Sequence, residues 1–148
     1  GMTEALLFAA SRRQHVAEKI QPALAEGKIV LLDRYVDSSL VYQGIGRQLG
    51  IDTVSKINEY AIQGLQPDVT LMIYVDYEKG LERKKVQEGH DLDRLEEETE
   101  LFHRKINEGY YSLVQRDPER VKLIDGAKSP EAVHAQVMQV LKPYLEKI

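Results

Sequence analysis

Residues 29–43, Ile29-Val30-Leu31-Leu32-Asp33-Arg34-Tyr35-Val36-Asp37-Ser38-Ser39-Leu40-Val41-Tyr42-Gln43, carry the decision on fold. They open on a continuous apolar run, Ile29 to Leu32. Such a run reads as a strand buried on both faces, the pattern of parallel sheets, rather than as a strand with one wet face. It breaks at the charged pair Asp33-Arg34, and a short helix is expected after Asp37. Upstream, Leu6, Leu7, Ala10, Val16, Ile20, Ala23 and Leu24 recur at helical spacing and predict one long amphipathic helix that stops at Gly27. Downstream, a loop with Gly44, Gly46 and Gly50 leads into a helix near 52–64, and Pro67-Asp68 turns the chain into a second buried strand, Val69 to Val75. A charged helix is expected from about Glu78. After a polar loop around Gly89, Phe102, Ile106, Tyr110 and Leu113 repeat at helical spacing. Val121 to Ile124 reads as a third strand. Ser129 then caps a last helix with Pro130 in its first turn and Val133, Val137, Val140 and Leu141 as its buried face.

Strands alternating with helices of this length predict right-handed crossovers and a parallel α/β sheet. Three strands make a small sheet for that architecture. With no internal repeat, low-complexity segment or linker in the sequence, residues 1–148 are expected to form a single domain.

Composition narrows the function classes. With 43% hydrophobic and 30% charged residues, the chain suits one compact core and not a disordered segment. A net charge of −4 and a pI near 5.6 argue against general electrostatic binding to a nucleic-acid polymer. The absence of cysteine excludes disulfides and thiolate metal sites and fits a cytoplasmic protein. No run approaches the ~20 apolar residues of a bilayer span, and no basic-then-apolar leader is seen, so neither membrane insertion nor secretion is expected. His15, His90, His103 and His134 are scattered without metal-ligand spacing, and Glu96, Glu97, Glu98 and Glu100 suit a helix N-terminus.

In parallel α/β sheets ligands bind beyond the carboxyl ends of the strands, which is where Asp33, Arg34 and Tyr35 fall. A guanidinium grips phosphate oxygens in a bidentate way, and an adjacent carboxylate can orient it or hold a metal-bound water. The dipeptide alone reads equally as a surface ion pair or a helix cap.

The residues around it extend the reading. Leu31 to Gln43 resembles the motif of the bacterial thymidylate kinase family, a DR[YFH] followed by a Ser pair and an aromatic-polar pair. Leu6-Leu7-Phe8-Ala9-Ala10-Ser11-Arg12-Arg13 resembles the family helix that carries a thymine-stacking Phe and a base-reading Arg. Gly64-Leu65-Gln66-Pro67-Asp68-Val69-Thr70 resembles the lead into the family's next strand, and Leu92-Asp93-Arg94-Leu95-Glu96 the end of its lid. These segments appear in family order along the whole chain.

The resemblance implies a P-loop nucleoside-monophosphate-kinase fold and phosphoryl transfer from ATP to dTMP, with Mg²⁺, by a homodimer. It implies that Phe8 stacks on thymine, that Arg12, one helical turn on, reads a pyrimidine carbonyl, and that Ser39, Tyr42 and Gln43 face the same pocket. Asp33 and Arg34 take the catalytic positions, Arg34 clamping the acceptor phosphate and Asp33 lying near the metal through a water, with no direct metal ligand assigned. Arg83, Lys84, Lys85 and Arg94 belong to a lid over ATP at about 82–96, a stretch that reads equally as a solvated helix face. Between Val86 and Asp93 this lid carries no arginine.

Two family segments do not occur in the 148 residues: a G-x-x-x-x-G-K-[ST] phosphate loop and an early Arg-Glu-Pro. The expectation is a chain that resembles the C-terminal part of such a kinase. It would lack the first two strands and the phosphate loop, bind ATP poorly by itself and be inactive alone. A deoxynucleoside kinase relative, with a similar Asp/Glu-Arg-Ser motif, and a non-catalytic nucleotide-binding fragment are the alternatives.

Overall fold

The computed structural model describes residues 1–88 and 94–146, with side chains described outside 84–99. It divides into two compact units, Gly1–Gln66 and Pro67–Ile148.

The first unit is helical. Helix α1 (Met2–His15) continues through a π-helical turn, Val16–Ile20, into α2 (Gln21–Ala25). The wide turn sits just before Pro22, whose ring and missing N–H forbid a normal hydrogen bond to the preceding turn. The long helix stops near Gly27, as its spacing predicts, with that glycine at φ +74°. Helix α3 (Val36–Ser39) runs into a second π-helical turn, Leu40–Gly46. Helix α4 (Ile51–Ile62) ends with Gln63 and Gly64 both at positive φ. Helix α4 packs against α1 and the second π turn. The core between them holds Ala5, Ala9, Val16, Val41, Val54, Ala61 and Ile62.

The expected first strand is not formed. Residues 28–32 run without secondary structure, and Leu31 is 89% exposed. An apolar run becomes a strand only when its backbone groups find a neighbouring ladder, and among the described residues none pairs with it. The three-stranded sheet expected from sequence is therefore a two-stranded one.

The second unit holds that sheet. Strands β1 (Thr70–Tyr74) and β2 (Val121–Asp125) pair in parallel, Thr70 opposite Val121 and Tyr74 opposite Asp125. Between them come α5 (Tyr77–Glu88) and α6 (Arg94–Arg116), and α7 (Pro130–Leu145) follows β2. Helix α6 sends Ile106 and Leu113 into the core with Met72, Val121 and Ile124. Ile73 and Leu123 stay exposed, so these strands are not the doubly buried runs their sequence suggests. The face of α7 at Val133, Val137, Val140 and Leu141 is half-buried for the same reason: two strands offer little area to cover it. Ser129 caps α7 as expected, its Oγ accepting from the Ala132 N–H at 3.3 Å. Gly126 continues the chain past β2, its N–H donating to the Tyr74 carbonyl at 2.8 Å. A Cβ there would lie 2.9 Å from Ile73 and Val75 side-chain carbons.

Candidate functional site

The residues singled out in the first unit converge on the junction of α1 with the start of α3. Arg12 leaves α1 and is more than half buried. Its Nη1 donates to Asn58 Oδ1 on α4, and its Nη2 donates to the Tyr35 carbonyl at 3.2 Å and to Ser39 Oγ at 3.0 Å. Its guanidinium also lies over the Tyr35 ring, 5.5 Å from the centroid. Burial lowers the Arg12 pKa, with Tyr35 opposing, and burial raises that of Tyr35. The Tyr35 hydroxyl donates to the Leu65 carbonyl at 3.3 Å.

Gln43 lies buried in the second π turn, its Nε2 donating to Glu4 Oε1 at 2.7 Å. Arg47 reaches the same carboxylate at 3.3 Å. The Gln43 amide, then Arg47, hold the Glu4 pKa below its ordinary value of 4.5. Such π turns widen a helix locally and recur where side chains must be aimed at a ligand.

Glu4, Phe8 and Arg12 are spaced at four-residue intervals and share a face of α1. Glu4 meets Gln43 and Arg12 meets Ser39, so Phe8 stands on the stretch of α1 that faces the Ser39–Gln43 turn. It is 52% exposed. Among the described residues Phe8 is therefore not part of the packed core.

Asp33 and Arg34 are exposed and follow the extended run. Arg34 has φ +66°, a left-handed backbone that a residue with a Cβ adopts at a cost. Its guanidinium lies 5.3 Å from the centroid of the Tyr42 ring. Stacking uses the face of the guanidinium and hydrogen bonding its edge, so a stacked Arg34 can still grip an oxyanion. The structure thus brings Arg12 to Ser39, Arg34 to Tyr42, and Gln43 to α1.

Three contributors escaped the sequence reading: Asn58, Glu4 and the Tyr35 main chain. Asn58 left a signal, since a carboxamide interrupts the apolar stripe Val54, Ala61, Ile62 on α4. Glu4 and the Tyr35 carbonyl left none.

In the second unit, Arg83 donates to the carbonyls of Gly126 and Ala127 at 3.0 and 2.9 Å, tying α5 to the turn after β2. The side chains of Lys84, Lys85 and Arg94, with most of the expected lid, lie outside the described residues. Arg104 bridges Glu78 at 2.5 Å and Glu100 at 3.1 Å and covers the Tyr77 ring, joining α5 to α6.

Among the described residues no group of three His, Cys, Asp or Glu side chains could hold a metal ion. Asp33, next to Arg34 in the chain, is an exposed carboxylate. That donor set fits a Mg²⁺ held chiefly by water and substrate phosphate, not by a protein cage. No helix of the described residues is long and apolar enough to cross a membrane.

Within the first unit, a guanidinium, a carboxamide and an exposed aromatic ring along one helix junction fit a nucleotide-handling protein. The family model for thymidylate kinase matches residues 1–137, and the chain belongs to that family. It is 51% identical over 146 residues to a thymidylate kinase of Bacillus velezensis, covering 99% of this chain and 69% of that protein. Against a thymidylate kinase of Oenococcus oeni it is 46% identical over 144 residues, 97% of this chain and 68% of the relative. The crystal structure of thymidylate kinase from Ehrlichia chaffeensis superimposes with a TM-score of 0.72 at 30% identity, over 95% of this chain and 64% of that one. The chain therefore spans about two thirds of the length of these relatives.

Proposed function

We propose that this chain supplies the acceptor side of a thymidylate kinase, in which the complete enzyme transfers the γ-phosphoryl group of ATP to dTMP, giving dTDP. The observation that carries the reading is that Arg12 bonds Ser39 and Gln43 bonds Glu4, which sets the turn 39–43 along the face of α1 that also bears the exposed Phe8. Phe8 stacks on the thymine ring, which needs a flat apolar face. Arg12 donates to a pyrimidine carbonyl. Gln43 offers both a donor and an acceptor to the base edge, and Tyr42 carries Arg34. Arg34 grips the acceptor phosphate, and Asp33 orients it or a metal-bound water. When bound, Mg²⁺ neutralises phosphate charge. Arg83, Lys84, Lys85 and Arg94 form the lid over ATP.

The rest of the proposal follows the family. Residues 1–148 act as one domain of the P-loop nucleoside-monophosphate-kinase type, and the run 29–32 becomes a strand only beside the strand that leads to a phosphate loop. The exposure of Ile29 and Leu31 supports that placement. The protein is a cytoplasmic homodimer. An apolar groove of about 690 Å³ between α1 and α4, lined by Met2, Leu6, Ile57 and Tyr60, gives a second copy a face to cover.

A second reading, a nucleotide-binding fragment without turnover, is favoured by one observation: the 148 residues contain no G-x-x-x-x-G-K-[ST]. Under both readings these residues alone do not make dTDP, and ATP-dependent dTDP formation by them would contradict that. Binding of dTMP against thymidine tests the acceptor site and its rival, a deoxynucleoside kinase relative. Arg34→Ala is expected to weaken dTMP about tenfold or more and leave thymidine unchanged, since only dTMP carries the phosphate. Preference for thymidine over dTMP in the unsubstituted chain would overturn the reading in favour of the rival.

A further inference from the structure

Asn58 is 2% exposed on a helix face otherwise made of Val54, Ala61 and Ile62. A buried carboxamide costs free energy unless both of its ends are bonded. Here both are: Nδ2 donates to the Val54 carbonyl at 2.8 Å, and Oδ1 accepts from Arg12 Nη1. Chemistry fixes this orientation, because a main-chain carbonyl only accepts and a guanidinium only donates. A leucine would fill the same place in the stripe without a polar group to satisfy, so packing alone does not call for Asn58. Its partner does. Arg12 spends Nη2 on the Tyr35 carbonyl and Ser39 Oγ, and Asn58 secures the other terminal nitrogen from α4.

We propose that Asn58 is a positioning residue for nucleotide recognition: it fixes the Arg12 guanidinium against the start of α3, so that the donors left over are held out for a pyrimidine carbonyl. The inference rests on the reading of this pocket as the dTMP site. A guanidinium fixed from three sides gives up its rotamer freedom on folding, so binding the base does not have to order it. Without Asn58 one side opens, and the loss falls on affinity.

NMR titration with dTMP, which still reads millimolar affinities, tests this on the 148-residue chain and on N58A, N58D, R12A and the R12A/N58A double variant. N58A is expected to weaken dTMP about tenfold or more, as for a hydrogen bond to a charged group. N58D keeps the acceptor for Arg12 but turns a second oxygen toward the Val54 carbonyl, so it should retain more dTMP affinity than N58A while lowering the Tm. In the R12A background, N58A should add nothing, because its effect runs through Arg12. A merely structural Asn58 would cost the same in both backgrounds. Should N58A fail to fold, Asn58→Leu fills the volume with apolar atoms and carries the same expectation. Unsubstituted affinity in N58A or Asn58→Leu, or an undiminished effect in the R12A background, overturns the inference alone. No dTMP binding by the unsubstituted chain overturns the proposed function and this inference with it.

Discussion

The two units treat the same kind of sequence in opposite ways. Ile29 to Leu32 and Val121 to Ile124 are both short, β-branched-rich runs of the sort that parallel sheets bury. In the second unit, Val121 to Ile124 lies in register against β1, and Ile124 is 1% exposed. In the first, the run stays extended, unpaired and open to water, with Leu31 at 89%. The run that pairs is the less apolar of the two, since it carries Lys122; what differs in its favour is the neighbour. A strand is a property of a pair, because its backbone donors and acceptors are satisfied only by another backbone.

The contrast can be broken most severely by truncation in both places. Ile124→Ala should cost about 2–5 kcal/mol, the usual loss for emptying a buried aliphatic site. Leu31→Ala should stay within about 0.5 kcal/mol in this chain, since an exposed side chain loses nothing by shortening. Equilibrium denaturation of both variants checks the pair, and a large loss at Leu31 would mean that the run is buried after all. Next in size is Gly126→Ala. Its methyl group would press on Ile73, Val75 and the Tyr74 carbonyl, and overpacking of that kind costs about 1–3 kcal/mol, read as a drop in Tm. Removing the cap with Ser129→Ala should cost about 1 kcal/mol, measured the same way.

The smallest expected effect lies in the first unit and depends on pH. Glu4 has a folded-state pKa held below 4.5 by Gln43 and Arg47, so its contribution to stability is complete above that value. It is lost as pH falls through the lower folded value. A pH series of melts on the natural chain and on Glu4→Gln should therefore converge below pH 4.5, and curves that stayed parallel there would remove Glu4 from the account.

Much of this was legible in the sequence. Helix positions were, because apolar spacing, Gly27 and Ser129 act locally. The resemblance assigns Arg12 and Ser39 to one pocket; their hydrogen bond to each other is a contact that the sequence does not state. The strand expected at 29–32 is not formed among the described residues, because pairing is decided elsewhere in space. Arg83 reads from sequence as a lid cation or a solvated side chain, and its grip on the 126–127 carbonyls depends on a turn 43 residues away. Asn58 interrupts an apolar stripe, which marks it, but its partner and that of Glu4 lie on other elements and no local pattern names them.

The central claim is that the helical unit forms a pocket for dTMP by itself, while the cradle for ATP phosphates is not in these residues. Thermal unfolding of the 148-residue chain with excess dTMP, and separately with ATP, tests it most directly. A ligand that binds only the folded state at about a hundred times its Kd stabilises by about 2.7 kcal/mol. The account predicts a Tm raised by dTMP, unmoved by ATP, and no longer raised by the same dTMP concentration in Arg12→Ala. A Tm indifferent to dTMP, or raised equally in Arg12→Ala, would contradict it.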